Sequence, residues 1–394
     1  MDLKKAFDVV SHEILLKKLR KFGINNKELD WFASYLKNRK QKVDIGGTFS
    51  NETTINISVL QGTTLGPILF LCFINDLFYS TTLLTYLFAD DTSCLASHSN
   101  LHSLIEYVNI EMQKLANWFL SNKMALNINK TKFIIFRTKG KKIDSNVARV
   151  FINTNEIGSY NDPNKIFELE RVYSTHPNIE NQSYKLLGVY LDEYLTFDKH
   201  INVLCAKLSK ANFCIRRINQ KISTKALRCL YFAMFHSHLL YCINIYSCTS
   251  AKNIKKITVL QKKAIRLINK EKNNTHTEQL FQKSLILPFE KLILQSKLTF
   301  MHSICYSYAP QTFLNTFPIN NNVNVYNLRT RAMYLVPFIR IEQFRKFPLY
   351  SFTSAWNQAG DVTFQTNKYT FQNSLKNLLL FDNFDGQRLY QVPE

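Results

Sequence analysis

Leu84-Thr85-Tyr86-Leu87-Phe88-Ala89-Asp90-Asp91-Thr92-Ser93 is the stretch whose reading decides the fold. Leu84 to Phe88 is a short β-prone run, and a second run, Thr92 to Ala96, follows at once. Together they predict a β-hairpin with Asp90 and Asp91 side by side at its tip. Like charges this close repel unless a cation lies between them, although Asp is also an ordinary residue of solvated turns. A third carboxylate, Asp2, opens a second short motif at the start of the chain and tilts the choice toward a cation.

Working outward from the hairpin, Ser11 reads as a helix N-cap ahead of Ile14, Leu15, Leu16 and Leu19, and Gly23 closes that helix. A second helix is expected over residues 26–37. Residues 41–45 and 54–59 read as a hairpin around Gly46-Gly47, with Ile55, Ile57 and Val59 alternating. A loop over 61–67 then leads through Pro67 into an apolar helix, 68–77. Apolar residues at helical spacing cover 101–120, and 132–137 reads as a strand. Residues 139–183 look like an irregular insertion with one hairpin around 150–152, and 185–192 is again a strand.

From about residue 199 the pattern is helical: 201–218, a strongly apolar run over 226–246, and 254–269. The last divides sharply, with Ile257, Leu260, Ala264, Leu267 and Ile268 on one side and Lys255, Lys256, Lys262, Lys263 and Arg266 opposite. Such a basic face either is simply solvated or follows a phosphate backbone. After residue 280 the chain mixes short helices with loops. The expected architecture is α+β: a domain over 1–198 with an antiparallel sheet flanked by helices, a helical domain over 199–280, and a mostly helical region over 281–394.

Lys and Arg number 50 against 29 Asp and Glu, a net charge of +21. That surface favours a polyanionic partner, and no lipidation motif or basic cluster beside an anchor points to a membrane. The eight cysteines are scattered without a C-x-x-C pair and no signal peptide is evident, so an intracellular, reducing location (cytoplasm or nucleus) is expected rather than secretion. His236, His238, Cys242 and Cys248 lie in or just after the apolar run, where core packing accounts for them better than zinc. Arg228, His236, His238 and Asn244 argue that this run is a buried protein helix and not a membrane span.

If the hairpin pairs beside the segment bearing Asp2, carboxylates from separate strands converge on one sheet edge. Hard divalent ions take oxygen ligands, few of them from the protein. Two such ions can activate a hydroxyl and stabilise a leaving pyrophosphate. The glycines of Gln61-Gly62 and Gly66 would let a substrate approach the backbone.

In five motifs the chain resembles the reverse transcriptases of non-LTR retrotransposons of the LINE type, nearest the Jockey-like elements. These are Asp2-Leu3-Lys4-Lys5-Ala6-Phe7-Asp8-Val9-Val10-Ser11-His12, the segment 61–70 with Thr63 where the family usually has Ser, Phe88-Ala89-Asp90-Asp91, the N-x-x-K-T at 127–131, and Leu187-Gly188. The W-N dipeptide of the family falls on Trp356-Asn357. The resemblance implies a polymerase palm followed by a helical thumb, and RNA-directed DNA polymerisation with two Mg²⁺ ions, or Mn²⁺ in their place. Asp2 and Asp90 would be metal ligands, with Asp91 supporting them. Phe7 would stand under the incoming sugar, with ordinary core packing as the alternative. Gln61 and Gly62 would line the nucleotide and template pocket, and Lys130 would donate a proton to pyrophosphate or sit solvated at the surface. Leu187-Gly188 would form the primer grip, and Lys255, Lys262, Lys263 and Arg266 would meet the duplex. Partners would be an RNA template, a DNA primer or hybrid, and dNTPs. Family members carry a fingers region before the first motif and an endonuclease, and here only Met1 precedes Asp2. The expectation is therefore an N-terminally truncated chain with impaired polymerisation, the alternative being an inactive nucleic-acid-binding remnant.

Overall fold

The computed structural model describes residues 1–153, 166–173, 182–319, 334–340, 342–359 and 366–381. The chain divides into two compact units, Met1–Ser174 and Thr175–Glu394. The hairpin carrying Leu187 and Gly188, drawn into the first domain from sequence, thus groups with the helices.

In the first unit, helix His12–Lys21 follows Ser11 and buries Leu15 and Leu19, one turn apart; Gly23, at φ +90°, carries the chain out of it. Helix Asn26–Leu36 adds Leu29 and Leu36. Helix Leu65–Ile74 buries Leu69, Phe70, Phe73 and Ile74. Helix Leu101–Ser121 is capped by Asn100, whose side chain accepts from Ser103 N at 3.2 Å, and buries Ile105, Met112, Leu115, Ala116 and Phe119. These side chains and Leu3, Ala6 and Val10 form one apolar cluster.

On that core lies the hairpin Leu84–Phe88 with Asp91–Leu95, paired from Phe88↔Asp91 to Leu84↔Leu95. Met1 exchanges backbone hydrogen bonds with Thr92, and Leu3 bridges Leu126 antiparallel. The opening residues therefore run between the returning strand of the hairpin and residues 125–127, as an antiparallel ribbon.

Several local expectations need correction. The hairpin around Gly46-Gly47 is the two-residue ladder Asp44–Ile45 with Thr48–Phe49, and beneath it Arg39–Gln41 pairs with Thr53–Ile55. Ile57 and Val59 leave that ladder for the first motif: Ile57 bridges Ser11, and Val59 N donates to Phe7 O at 2.8 Å. The apolar helix begins at Leu65, because the Thr63 hydroxyl accepts from Gly66 N (3.1 Å) and turns the chain before Pro67. The strand expected over 132–137 shrinks to Lys132–Phe133, which pairs in parallel with Glu170–Arg171. Within 139–183, Phe151–Asn153 pairs with Ile166–Glu168; residues 154–165 and 174–181 lie outside the described residues.

In the second unit, 185–192 is a tight hairpin, Tyr184–Leu186 with Val189–Leu191, and not a single strand. Helices Asp198–Ile218 and Ala251–Asn269 pack together, tied by Asn212 Nδ2 donating to Leu260 O at 3.0 Å. The apolar run between them is no continuous helix. It reads Thr224–Tyr231, a π-helical turn Phe232–His236, Ser237–Leu240 and Ile243–Tyr246, with Cys242 at φ +56° breaking the last two apart. The Ser237 hydroxyl donates to Ala233 O at 2.6 Å, a back-bond that loosens helical geometry. Helices Glu278–Ser284, Phe289–Cys305, Gln311–Thr316, Pro348–Gln358 and Lys368–Phe381 complete the unit. Trp356 is buried against Phe371, and Asn357 brackets the backbone of Tyr334 with hydrogen bonds of 3.0 and 2.8 Å. Among the described residues no helix is long and apolar enough to cross a membrane. The fold is α+β, with small, mostly antiparallel ladders set among helices.

Candidate active site

Asp2 is positioned by a turn 125 residues away in sequence. Asn127 N donates to Asp2 O at 2.9 Å, the Asn127 side-chain amide donates to Asp2 Oδ2 at 3.1 Å, and Asp2 N donates to the Thr131 hydroxyl at 3.3 Å. Thr131 N closes the turn on Asn127 O at 2.9 Å. Lys130, between them, stands 3.7 Å from Asp2 Oδ2 with its side chain 70% exposed, against 20% for Asp2. Sequence reasoning placed Asn127 and Thr131 in the N-x-x-K-T motif but gave a role only to Lys130. Their i, i+3, i+4 spacing in the N-x-x-K-T motif was the available signal, since it fits one helical turn.

The hairpin tip is tighter than expected. Its turn is Ala89-Asp90, and Asp91 already pairs with Phe88. Ala89 sits at φ +52°, a left-handed conformation costing a non-glycine residue about 1–2 kcal/mol. Pleating places Leu84, Tyr86, Phe88 and Asp91 on one face, where the three apolar side chains are exposed. Thr85, Leu87, Thr92 and Cys94 turn inward, and burial pushes the Cys94 thiol above its ordinary range. At the hairpin's entry, buried Glu111 accepts from Thr82 N at 2.7 Å and the Thr81 hydroxyl at 2.8 Å, and pairs with Lys114 at 2.5 Å. Burial alone would raise this carboxyl; hydrogen bonds from Lys114, Thr82 and Thr81 outweigh it and hold the pKa at about 2.

Gln61 lies on the first motif. Its amide donates to Asp8 Oδ1 at 2.9 Å, joining two motifs that are far apart in the sequence. Gly62 takes φ +79° with open space where a Cβ would point, as a backbone open to a ligand requires. Gly66 has a different role from the one expected: a Cβ there would meet Leu60 O at 2.1 Å, so this glycine serves packing and not substrate access. Phe7 is half-buried and stacks on buried Phe70, centroids 4.5 Å apart, which leaves it part core and part surface.

In the second unit, Leu187 and Gly188 form the turn of the Tyr184–Leu191 hairpin. Lys255, Lys262 and Lys263 are exposed on helix Ala251–Asn269. Arg266 is half-buried, and its Nε donates to Thr275 O at 2.8 Å, so it braces a loop. Buried Gln261, which sequence placed nowhere, donates to the Tyr231 hydroxyl and to Leu287 O.

The all-oxygen donor set of Asp2, Asp90 and Asp91 suits a hard divalent cation. Among the described residues, however, no three His, Cys, Asp or Glu side chains gather tightly enough to hold one, and Asp2 Oδ2 is shared by Asn127 and Lys130.

Residues 1–191 match the reverse transcriptase (RNA-dependent DNA polymerase) family. The chain is 27% identical over 285 residues to the RNA-directed DNA polymerase from mobile element jockey of Drosophila melanogaster, covering 68% of this chain and 28% of that protein. It is 26% identical over 287 residues, with the same coverage, to the probable RNA-directed DNA polymerase from transposon BS of the same species. Over 70 residues it is 37% identical to a Pol polyprotein of the retrotransposable element R2 from Popillia japonica, 18% of this chain and 12% of that protein. The chain thus spans little more than a quarter of the length of the curated mobile-element polymerases it matches. Asp2, Gln61 and the Asp90-Asp91 hairpin all lie inside the region, residues 1–191, that matches the reverse transcriptase family.

Proposed function

We propose that the chain carries the palm and thumb of a non-LTR retrotransposon reverse transcriptase and extends a DNA primer on an RNA template. The observation carrying this reading is the backbone pairing of Met1 with Thr92 and of Asp2 with Asn127, which lays the Asp2 segment alongside the Asp90-Asp91 hairpin. Reverse transcriptases use divalent metal ions. Here Asp2 and Asp90 would hold Mg²⁺, with Asp91 in support. When bound, such ions lower the pKa of the primer hydroxyl and neutralise charge on the leaving pyrophosphate. The side chains supply the rest: Asn127 keeps the Asp2 carboxylate from turning away, Gln61 held by Asp8 and the open backbone at Gly62 meet nucleotide and template, and Lys130 donates a proton to the departing phosphate. Phe7, braced by Phe70, excludes a 2′-hydroxyl, and exposed Lys255, Lys262 and Lys263 follow the duplex. Arg266 supports that surface through its loop contact.

The test is dNTP incorporation on a primed RNA template with Mg²⁺. Loss in Asp90→Ala supports the reading, and incorporation that survives the substitution refutes it. A second reading, nucleic-acid binding without synthesis, draws on the absence of a gathered ligand trio among the described residues. It predicts steeply salt-dependent hybrid binding with no metal-dependent incorporation.

A further inference from the structure

The turn Leu187-Gly188 is fixed by a residue outside every expected contact. Leu187 lies at φ +43° and Gly188 at φ +86°. The Tyr241 hydroxyl donates to Leu187 O. The Tyr241 ring lies so near that a Cβ on Gly188 would stand 3.2 Å from its Cε1. Tyr241 reaches the turn because helix Ser237–Leu240 ends at it: its backbone is extended (φ −61°, ψ 112°), and left-handed Cys242 follows. Core burial does not explain the ring, which is 54% exposed beside a Leu187 that is 41% exposed. Exposed Lys185 and Lys199 place their ammonium groups 6.0 and 5.6 Å from the Tyr190 ring on the same hairpin. Aromatic faces interleaved with exposed amines are the composition of a surface that tracks a nucleic-acid backbone.

We propose that Tyr241 is the positioning residue of this turn, holding the Leu187 carbonyl and packing on Gly188 so that the turn offers one fixed backbone surface to the sugar–phosphate chain of an RNA–DNA hybrid. The assignment rests on the polymerase reading above and adds to it a residue that no motif contains. A flexible turn would have to be ordered on each binding event, whereas a locked one is ordered beforehand.

The experiment measures fluorescence anisotropy of a labelled DNA primer annealed to an RNA template, titrated with the full chain. It compares wild type, Tyr241→Phe, Tyr241→Ala, Gly188→Ala and the double variant Gly188→Ala/Tyr241→Ala, each with its melting temperature. Tyr241→Phe keeps the ring and loses one exposed hydrogen bond, so Kd weakens about three- to tenfold while the melting temperature holds. Gly188→Ala weakens binding as well, and the double variant is no worse than the poorer single, because both changes act on one contact. A purely structural role would lower the melting temperature and leave Kd of the folded protein unchanged. Tyr241 variants that bind within about twofold of a hybrid-binding wild type, or losses that multiply in the double variant, overturn the proposal alone. A wild-type chain that binds no hybrid overturns both the proposal and the polymerase reading.

Discussion

Asn127 holds Asp2 twice, through its side-chain amide at 3.1 Å from the carboxylate and through its backbone N–H at 2.9 Å from the carbonyl. Asn127→Ala removes only the first contact and leaves the carboxylate free to rotate. Groups that orient a metal-binding side chain typically change activity by 10- to 100-fold, so incorporation should fall at least about tenfold. Stability should fall by only about 1 kcal/mol, the net worth of one hydrogen bond. Steady-state incorporation beside a urea melt separates the two effects; equal activity in Asn127→Ala would remove the positioning role.

Gly62 and Gly66 sit four residues apart and should respond differently to alanine. At Gly66 the new methyl meets a backbone carbonyl at 2.1 Å, and neither side can yield cheaply. A loss of about 3 kcal/mol or more is expected, the upper end of the overpacking range. At Gly62 the methyl enters open space and the cost is that of a left-handed alanine, about 1–2 kcal/mol. Thermal denaturation of both variants should rank them in this order, with Gly62→Ala losing activity out of proportion to its stability.

Glu111 ties the entry of the hairpin to helix Leu101–Ser121. Its folded pKa of about 2 lies below the ordinary 4.5. A depressed carboxyl contributes stability in full above about pH 4.5 and loses it as the pH falls toward 2. Wild type should therefore weaken across this window more steeply than Glu111→Gln, which carries no charge to titrate. Parallel acid melts of the two proteins check the difference in slope.

Phe7 should set the choice of sugar. Phe7→Val opens the space beneath the incoming ribose, and ribonucleotide incorporation relative to deoxynucleotide should rise about tenfold. The same change removes the stack on Phe70, worth about 1 kcal/mol. Unchanged selectivity together with that stability loss would mean that Phe7 is core and nothing more.

Local periodicity carried the hairpin and the helix faces. The β-prone run Leu84–Phe88 and the buried stripe Ile257, Ala264, Ile268 were readable because each is a property of one segment. The Asn127–Asp2 clamp and the Gln61–Asp8 bond were not, since they join residues distant in sequence through side chains of ordinary composition. Gly66 was misread because a glycine that admits a ligand and one that admits a neighbouring carbonyl look alike in a string of letters. The 226–246 run was read as one helix because hydrophobicity does not register a π-turn or a left-handed Cys242.

The central claim is that Asp2 and Asp90 act together at one nucleotidyl-transfer site. Primer extension on an RNA template, with wild type, Asp2→Asn and Asp90→Ala compared across a Mg²⁺ titration, tests it most directly. The account predicts Mg²⁺-dependent incorporation by wild type that both substitutions abolish while hybrid binding persists. Incorporation that survives either substitution, or a wild type that binds hybrid and incorporates nothing at any Mg²⁺ concentration, would contradict it.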